Sequence, residues 1–248
     1  MKILGFRPAL GPTLFTIPAL IVLLSLGTWQ MQRLFWKLDL IATVEAGITA
    51  PPVDLPAVIQ DPQEWHYRTV TVRGTFDHAH EFYVLAQSRR GNYGYQVLVP
   101  LKRSDAPGYV FVDRGWVPPD KKDPAARPEA QMTGEQTIHG ITRIAPVAGW
   151  LTPQNDPVQN LWFFPDLTAM ARLAGTGTVP NLIIDADDTP VPGGAPKGGQ
   201  TKLEFPNNHL AYAVTWYGGA VVLAVIYVVW HRRRARDAQS SGRSRDRT

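Results

Sequence analysis

Three residues near the C-terminal end of the chain form a pattern suited to holding a flat prosthetic group. His209, Tyr212 and Trp216 recur at helical intervals at the start of a long apolar segment, so one helix face would carry an imidazole and two aromatic rings. A neutral imidazole nitrogen is a standard axial donor to haem iron, and aromatic rings provide apolar contacts for a porphyrin. Alternatively, these residues form the aromatic belt that membrane helices place at the water interface. The residue types alone leave both interpretations open.

A second pair of candidate ligands lies in residues 77–81 (DHAHE). On a strand, His78 and His80 would share a face as a metal pair does, but no third ligand accompanies them, and a polar turn explains the segment more simply. The sequence has no cysteine, and it lacks the nucleophile elbow, the phosphate-binding loop and the HExxH pattern. We therefore predict that the protein is not an enzyme and that it has no metal site beyond an iron held by His209.

Uncharged segments at both ends of the chain determine where these residues lie. Residues 210–230 form a run of 21 uncharged residues, and at about 1.5 Å per residue such a helix extends ~31 Å, enough to cross a bilayer core. A second uncharged run covers residues 8–32. We predict transmembrane helices at residues 10–32 and 209–230. The first run also resembles a cleavable signal peptide, with a small-x-small site at 25–27 (SLG).

The distribution of charge predicts the orientation of these helices. Residues 1–9 carry a charge of +2 and residues 231–248 carry +5, whereas the sequence between the two helices sums to −3. Because Lys and Arg near membrane helices stay on the cytoplasmic side, we expect both tails to be cytoplasmic and residues 33–208 to be periplasmic. Too few residues precede the first helix for a mitochondrial transit peptide, which favours a bacterial inner membrane. The basic excess lies in the tails, so no nucleic-acid partner is expected and membrane lipid is the expected contact.

The central region is predicted to be a β-rich α+β domain with one or two short helices. A helix is predicted at residues 167–173, with Asp166 as its N-cap and Gly175 as its end. The prolines and polar residues of 120–133 and the Pro/Gly loop 189–199 predict irregular structure. Alternating or β-branched segments between Gly, Pro and Asp predict an antiparallel meander. Its strands are predicted at residues 68–76, 81–86, 95–101, 109–113, 137–144 and 181–185.

Five separated segments resemble the surfeit locus protein 1 family of cytochrome c oxidase assembly factors, in its bacterial form. In chain order they are residues 27–37 (GTWQMQRLFWK), 94–101 (GYQVLVPL), 112–118 (VDRGWVP), 160–166 (NLWFFPD) and 206–216 (PNNHLAYAVTW). The first is similar to the family signature GxWQxxRxxWK and the last to PNNHxxYAxTW. Asp113 stands where the family usually has Asn. The resemblance extends from residue 27 to about residue 227 in the right order.

The resemblance implies a protein that binds haem a transiently and assists its insertion into subunit I of the haem-copper oxidase, alongside haem A synthase. His209 occupies the position of the haem-binding histidine, Tyr212 and Trp216 would line the haem, and Trp29 and Arg33 would meet it from the first helix. Arg114 is a second candidate for the haem propionates, although an ion pair or turn bond explains it equally well. The alternative function is a scaffold that holds oxidase subunits or haem A synthase together through the β-rich domain.

Overall fold

The computed structural model describes residues 9–201 and 205–245, and the side chains up to residue 237. The predicted cytoplasmic stretch 1–9 lies outside the described residues except for Ala9, as do the last three residues of the tail. The chain forms two compact units, one from Met1–Ala42 with Phe205–Thr248 and the other from Thr43–Glu204. The described residues contain the following helices and strands: α1 (Leu10–Thr49), β1 (Val53–Asp54), β2 (Thr69–Phe76), β3 (Phe82–Gln87), β4 (Tyr93–Arg103), β5 (Tyr109–Val117), β6 (Gln136–Ile144), α2 (Leu167–Ala174), β7 (Leu182–Ala186) and α3 (His209–Arg245).

The helices α1 and α3 are both long and apolar enough to cross a membrane. The predicted first span was residues 10–32, but α1 continues to Thr49. Residues 33–46 consist mainly of good helix formers and lack Gly and Pro, so nothing in that stretch interrupts the backbone ladder. The helix ends just before Pro51 and Pro52, because a residue preceding proline is pushed out of the helical region.

Polar side chains join α1 to α3 at intervals along both helices. The Ala9 amide donates to His231 Nε2 at 3.0 Å, and the hydroxyls of Thr13 and Tyr227 lie 2.6 Å apart. Further along, Thr28 pairs with the Tyr217 hydroxyl at 3.1 Å. The beginning of α1 is thus bonded to a later part of α3 than Thr28 is, which means that the two helices run antiparallel. In an apolar surrounding, such bonds between helices supply association that hydrophobic burial cannot.

The strands of the second unit form a mixed sheet rather than the predicted antiparallel meander. The sheet order is β1-β2-β6-β7-β5-β4-β3, and an additional pairing of β2 with β4 closes five of these strands into a barrel. Only β3, β4 and β5 form a meander. β6 returns to pair with β2, and β7 enters between β6 and β5, parallel to β5. The parallel pairing requires a crossover, which the chain makes through the segment that contains α2.

Alternation along the barrel strands produces two cores. In β4, Val97, Val99 and Leu101 point into the barrel, while Leu98 between them points outward. The outward residues pack with Trp162 and with Met170 of α2. Because successive side chains of a strand point to opposite faces, a strand that is covered on both sides must be apolar throughout. This explains the nearly continuous hydrophobic character of β4, β5 and β7.

The predicted short helix is confirmed. The Asp166 side chain accepts a hydrogen bond from the Ala169 amide at 3.0 Å, and Gly175 ends α2 in the left-handed conformation, with φ of 66°. Residues 120–133, which the sequence predicts to be irregular, form no α-helix or β-strand, but they are not without local structure. They contain short 3₁₀ turns at Pro119–Lys121, Pro124–Ala126 and Pro128–Ala130.

Candidate functional site

His209 is the first residue of α3 and is half-buried against α1. Its Nδ1 atom lies 2.7 Å from the carbonyl oxygen Oε1 of Gln30, whose side chain is buried at 9% exposure. Since a carbonyl oxygen only accepts, a neutral imidazole bonded in this way carries its proton on Nδ1 and its lone pair on Nε2. Sequence reasoning missed Gln30, although it belongs to the GTWQMQRLFWK segment and stands beside Trp29.

The other predicted site residues of the first compact unit are Trp29 and Arg33 on α1 and Tyr212 and Trp216 on α3. Trp29 and Arg33 are one helical turn apart and exposed, and the Arg33 guanidinium lies 4.4 Å from the ring centroid of Trp36. Trp216 is half-buried on the face that it shares with His209, whereas Tyr212 is 55% exposed. The structure therefore joins His209 directly to α1 through Gln30. It leaves Trp29, Arg33 and Tyr212 accessible to a ligand or lipid.

A second polar cluster, absent from the sequence predictions, surrounds Glu81 in the second compact unit, Thr43–Glu204, which we call the barrel unit. Arg127 pairs with both carboxylate oxygens of Glu81, and Gln131 donates to Oε1 at 3.0 Å. The Tyr83 hydroxyl donates to Oε2 at 3.0 Å, and Arg114 Nη1 lies 3.8 Å from Oε1. The side chains of Glu81 and Arg127 are 2% and 0% exposed. We call this group the Glu81 cluster.

The contacts of the Glu81 cluster keep its carboxylate charged despite its burial. Burial alone would raise the pKa of Glu81, but contacts from His78, Arg127 and Gln131 hold it at about 2. His78 Nδ1 lies 3.4 Å from Oε1, within ion-pair range but longer than a well-formed hydrogen bond. Burial and the neighbouring Arg127 lower the pKa of Arg114 to about 10, although Glu81 opposes this shift.

Arg114 is a structural residue of the barrel interior. Besides its approach to Glu81, it donates through Nη2 to the Ala130 carbonyl at 2.7 Å and lies 4.9 Å from the ring centroid of Phe76. Its side chain is 3% exposed. These contacts favour the structural interpretation of Arg114 over a role in holding haem propionates.

Two buried carboxyl groups lie side by side on parallel strands β5 and β7. Asp113 is in register with Asp185, which accepts two hydrogen bonds from Arg143 at 2.8 and 3.0 Å. Asp113 instead accepts from the Gly115 amide at 2.9 Å. Burial, and then the charge of Asp185, raise the pKa of Asp113 to about 7, although Arg143 opposes this shift. One half-buried arginine thus faces two buried carboxyl groups.

Replacing Asp113 with Asn is expected to stabilise the barrel unit at neutral and alkaline pH. The raised pKa means that the folded state keeps a proton that the unfolded state loses above about pH 4, so wild-type stability falls as pH rises from about 4 to about 7. Asn retains an oxygen for the Gly115 amide and removes the charge. We expect a gain of roughly 1–3 kcal/mol above pH 7 and almost none below pH 4, measured by urea unfolding across this pH range.

The matched control for this change is Asp120→Asn, at an exposed carboxyl on a 3₁₀ turn. It should leave the pH dependence of stability unaltered. If Asp113→Asn also leaves the free energy of unfolding unchanged at pH 8, the buried pair does not carry the proton that we assign to it.

The DHAHE segment forms a turn between β2 and β3 rather than a strand. Residues His78–His80 adopt a 3₁₀ turn, in which His78 Nε2 bonds the Met132 carbonyl at 3.1 Å and His80 Nδ1 bonds Asp77 at 2.7 Å. The two imidazoles therefore have separate protein partners. Within the described part of the chain, no three His, Asp or Glu side chains converge as metal ligands.

The chain has two helices that are long and apolar enough to cross a membrane, and a β-rich domain lies between them in the sequence. These features define a class of proteins with two candidate membrane-spanning helices and one folded domain in the intervening sequence. Comparison with known proteins gives the family. A sequence model of the SURF1 family matches residues 17–221, and the chain belongs to that family. It is 40% identical to Surfeit locus protein 1 of Xenopus tropicalis over 210 residues, which cover 78% of this chain and 67% of the frog protein.

Other relatives show the same breadth of similarity. The human Surfeit locus protein 1 is 40% identical over 210 residues, covering 78% of this chain and 69% of the human protein. A SURF1-like protein of Caenorhabditis elegans is 30% identical over 236 residues, covering 87% of this chain and 72% of the nematode protein. The family match covers α1 from residue 17 onward, the whole barrel unit and the first part of α3, so the family assignment does not depend on a single motif.

Proposed function

We propose that this protein is an assembly factor for haem-copper cytochrome c oxidase, which binds haem a as a transient cargo and assists its insertion into subunit I. The observation that carries the proposal is the hydrogen bond between His209 and Gln30. His209 Nδ1 lies 2.7 Å from Gln30 Oε1, and in the neutral ring this contact leaves the lone pair on Nε2, where it can bind iron. The proposed role is carriage of haem rather than catalysis of a reaction.

The residues around His209 fit a porphyrin cargo by their chemistry. Trp29, Tyr212 and Trp216 supply aromatic surface for the apolar ring, and Arg33 supplies a fixed positive charge for a propionate. The exposure of Trp29 and Tyr212, at 51% and 55%, leaves aromatic area free for a ligand. Accessible ligand contacts also suit a carrier, because a carrier must release its cargo.

The proposed setting is a bacterial inner membrane. Both termini would be cytoplasmic, and the barrel unit would face the periplasm, as the charge distribution predicts. The proposed partners are oxidase subunit I, which receives haem a, and haem A synthase, which supplies it.

The test is to purify the full chain from a host that makes haem A, beside His209→Ala at matched protein levels. Wild type is expected to carry haem a in near-stoichiometric amount, and the variant is expected to lose at least nine-tenths of it, because the iron has lost its axial donor. Optical spectra measure the bound haem, and circular dichroism checks that the variant is folded. Equal haem in both proteins, or none in either, would overturn the carrier function.

A specific surface feature favours the scaffold as the second candidate function. The turn at residues 149–152 is closed by Thr152, whose amide bonds the Gly149 carbonyl at 3.0 Å and whose hydroxyl accepts from the Gly149 amide at 2.9 Å. Its tip presents Trp150 and Leu151 at 93% and 75% exposure. Exposed aromatic and aliphatic groups on an ordered turn suit a protein contact. A scaffold would keep its oxidase partners after His209→Ala and lose them after Trp150→Ser.

A further inference from the structure

We infer that Gln30 is a positioning residue for His209, holding the imidazole in the tautomer and orientation that make Nε2 an iron ligand. This inference rests on the proposed function for its role in haem binding, but the tautomer itself does not depend on haem. The contact joins residues that lie 179 positions apart in the chain, across the two long helices.

The packing of Gln30 fixes the hydrogen-bond acceptor that His209 uses. Its carbonyl oxygen lies 2.7 Å from His209 Nδ1, while the side chain of Gln30 is packed at 9% exposure. A packed side chain retains its rotamer, so the acceptor remains in one place. A histidine at a helix start would otherwise rotate about two side-chain bonds and populate both tautomers.

The contact of Gln30 with His209 is distinct from the contacts that pair α1 with α3. The hydroxyl pairs Thr13–Tyr227 and Thr28–Tyr217 already hold the same two helices together at other levels. Neither of these pairs includes His209 or Gln30. Among the described residues, the hydrogen bond of Gln30 is therefore the one that links α1 to the His209 imidazole. Mutation of a residue that hydrogen-bonds a metal ligand in this way typically lowers metal affinity 10–100-fold.

The test compares three variants of the full-length protein in detergent with the wild type. Gln30→Met keeps the side-chain length without an acceptor, and Gln30→Glu restores an acceptor oxygen. Tyr227→Phe removes a different interhelical bond and is the matched control. Nitrogen-15 NMR of labelled histidine at about pH 8.5, well above the ordinary imidazole pKa, reports the tautomer, and a His209→Ala spectrum assigns the signal. Titration with haem a, followed at its Soret band, gives the Kd.

The wild type is expected to show the Nδ1-protonated tautomer. Gln30→Met is expected to shift toward the Nε2-protonated form and to raise the Kd for haem a 10–100-fold. Gln30→Glu should recover both properties, and Tyr227→Phe should alter neither.

Three results would overturn the inference. An unchanged tautomer in Gln30→Met would show that Gln30 does not position the ring. A Kd raised equally in Tyr227→Phe would show that only helix pairing matters. If Gln30→Met binds haem a like wild type while His209→Ala does not, the proposed function stands and the positioning role fails. If the wild type takes up no haem, the proposed function fails, and a tautomer shift in Gln30→Met still supports the hydrogen bond itself.

Discussion

Replacing Glu81 with Gln is expected to lower the free energy of unfolding of the barrel unit by roughly 3–5 kcal/mol. The substitution retains the shape of the side chain but removes the charge that compensates Arg127 and Arg114, which are 0% and 3% exposed. A buried ion group stabilises little as a whole, but removal of one partner leaves the other charges desolvated and unpaired. Urea unfolding of the full chain in detergent, followed by tryptophan fluorescence, measures this loss.

The same substitution should change the response to acid. The pKa of Glu81 is held at about 2, below its ordinary value of 4.5, so its contribution to stability is complete above about pH 4.5 and is lost as pH falls toward 2. Glu81→Gln should therefore flatten the stability profile in this range.

Glu64→Gln provides the control for this prediction. It makes the same chemical change at an exposed carboxylate and should alter stability by less than about 0.5 kcal/mol. A loss below about 1 kcal/mol in Glu81→Gln would show that the two arginines are solvated or paired elsewhere.

Replacing Gly115 with Ala is expected to lower the free energy of unfolding by roughly 3 kcal/mol or more. Gly115 has φ of +120°, where side chains are strained, and an added Cβ would overlap the Lys197 carbonyl oxygen. That carbonyl accepts the Trp116 amide, and the Lys197 amide donates back to Trp116, both at 2.9 Å. The methyl group would therefore separate β5 from the segment that it pairs with. The same urea unfolding experiment measures the effect.

Gly108→Ala separates steric overlap from backbone strain. Gly108 has φ of +95°, but an added Cβ would meet no atom within 4 Å. We expect a loss of about 1–2 kcal/mol from strain alone. If the two substitutions cost the same, the approach of Lys197 to Gly115 is not what requires glycine at that position.

Features that depend on local patterns were predictable from the sequence. The two apolar helices follow from uncharged runs long enough to cross a bilayer core. The position of α2 follows from a cap at Asp166 and a stop at Gly175, and both behave as predicted. Strand positions in the barrel were also found to within a few residues, because period-two alternation and β-branched residues mark them. The candidate ligand His209 was identified by its residue type and by a family resemblance that the comparisons confirm.

Strand pairing was not predictable, because it is a property of distant segments. The six predicted strands are compatible with a meander, yet β6 pairs with β2 and β7 lies between β6 and β5. Alternation determines which face of a strand is buried and says nothing about its neighbour. The choice among pairings depends on how both cores are filled at once, and this depends on the whole domain.

Partners of polar residues were determined by the tertiary structure for the same reason. Arg127 lies in a polar, proline-containing segment whose composition predicts irregular structure, yet its side chain is fully buried against Glu81. Gln30 lies on an apolar helix, and its role is apparent only from the structure, where His209 Nδ1 of α3 lies 2.7 Å from its side-chain oxygen. A charge or an amide has the same local pattern whether it is solvated or paired. Its role depends on which distant group packing brings within hydrogen-bond distance, and local sequence contains no record of that group.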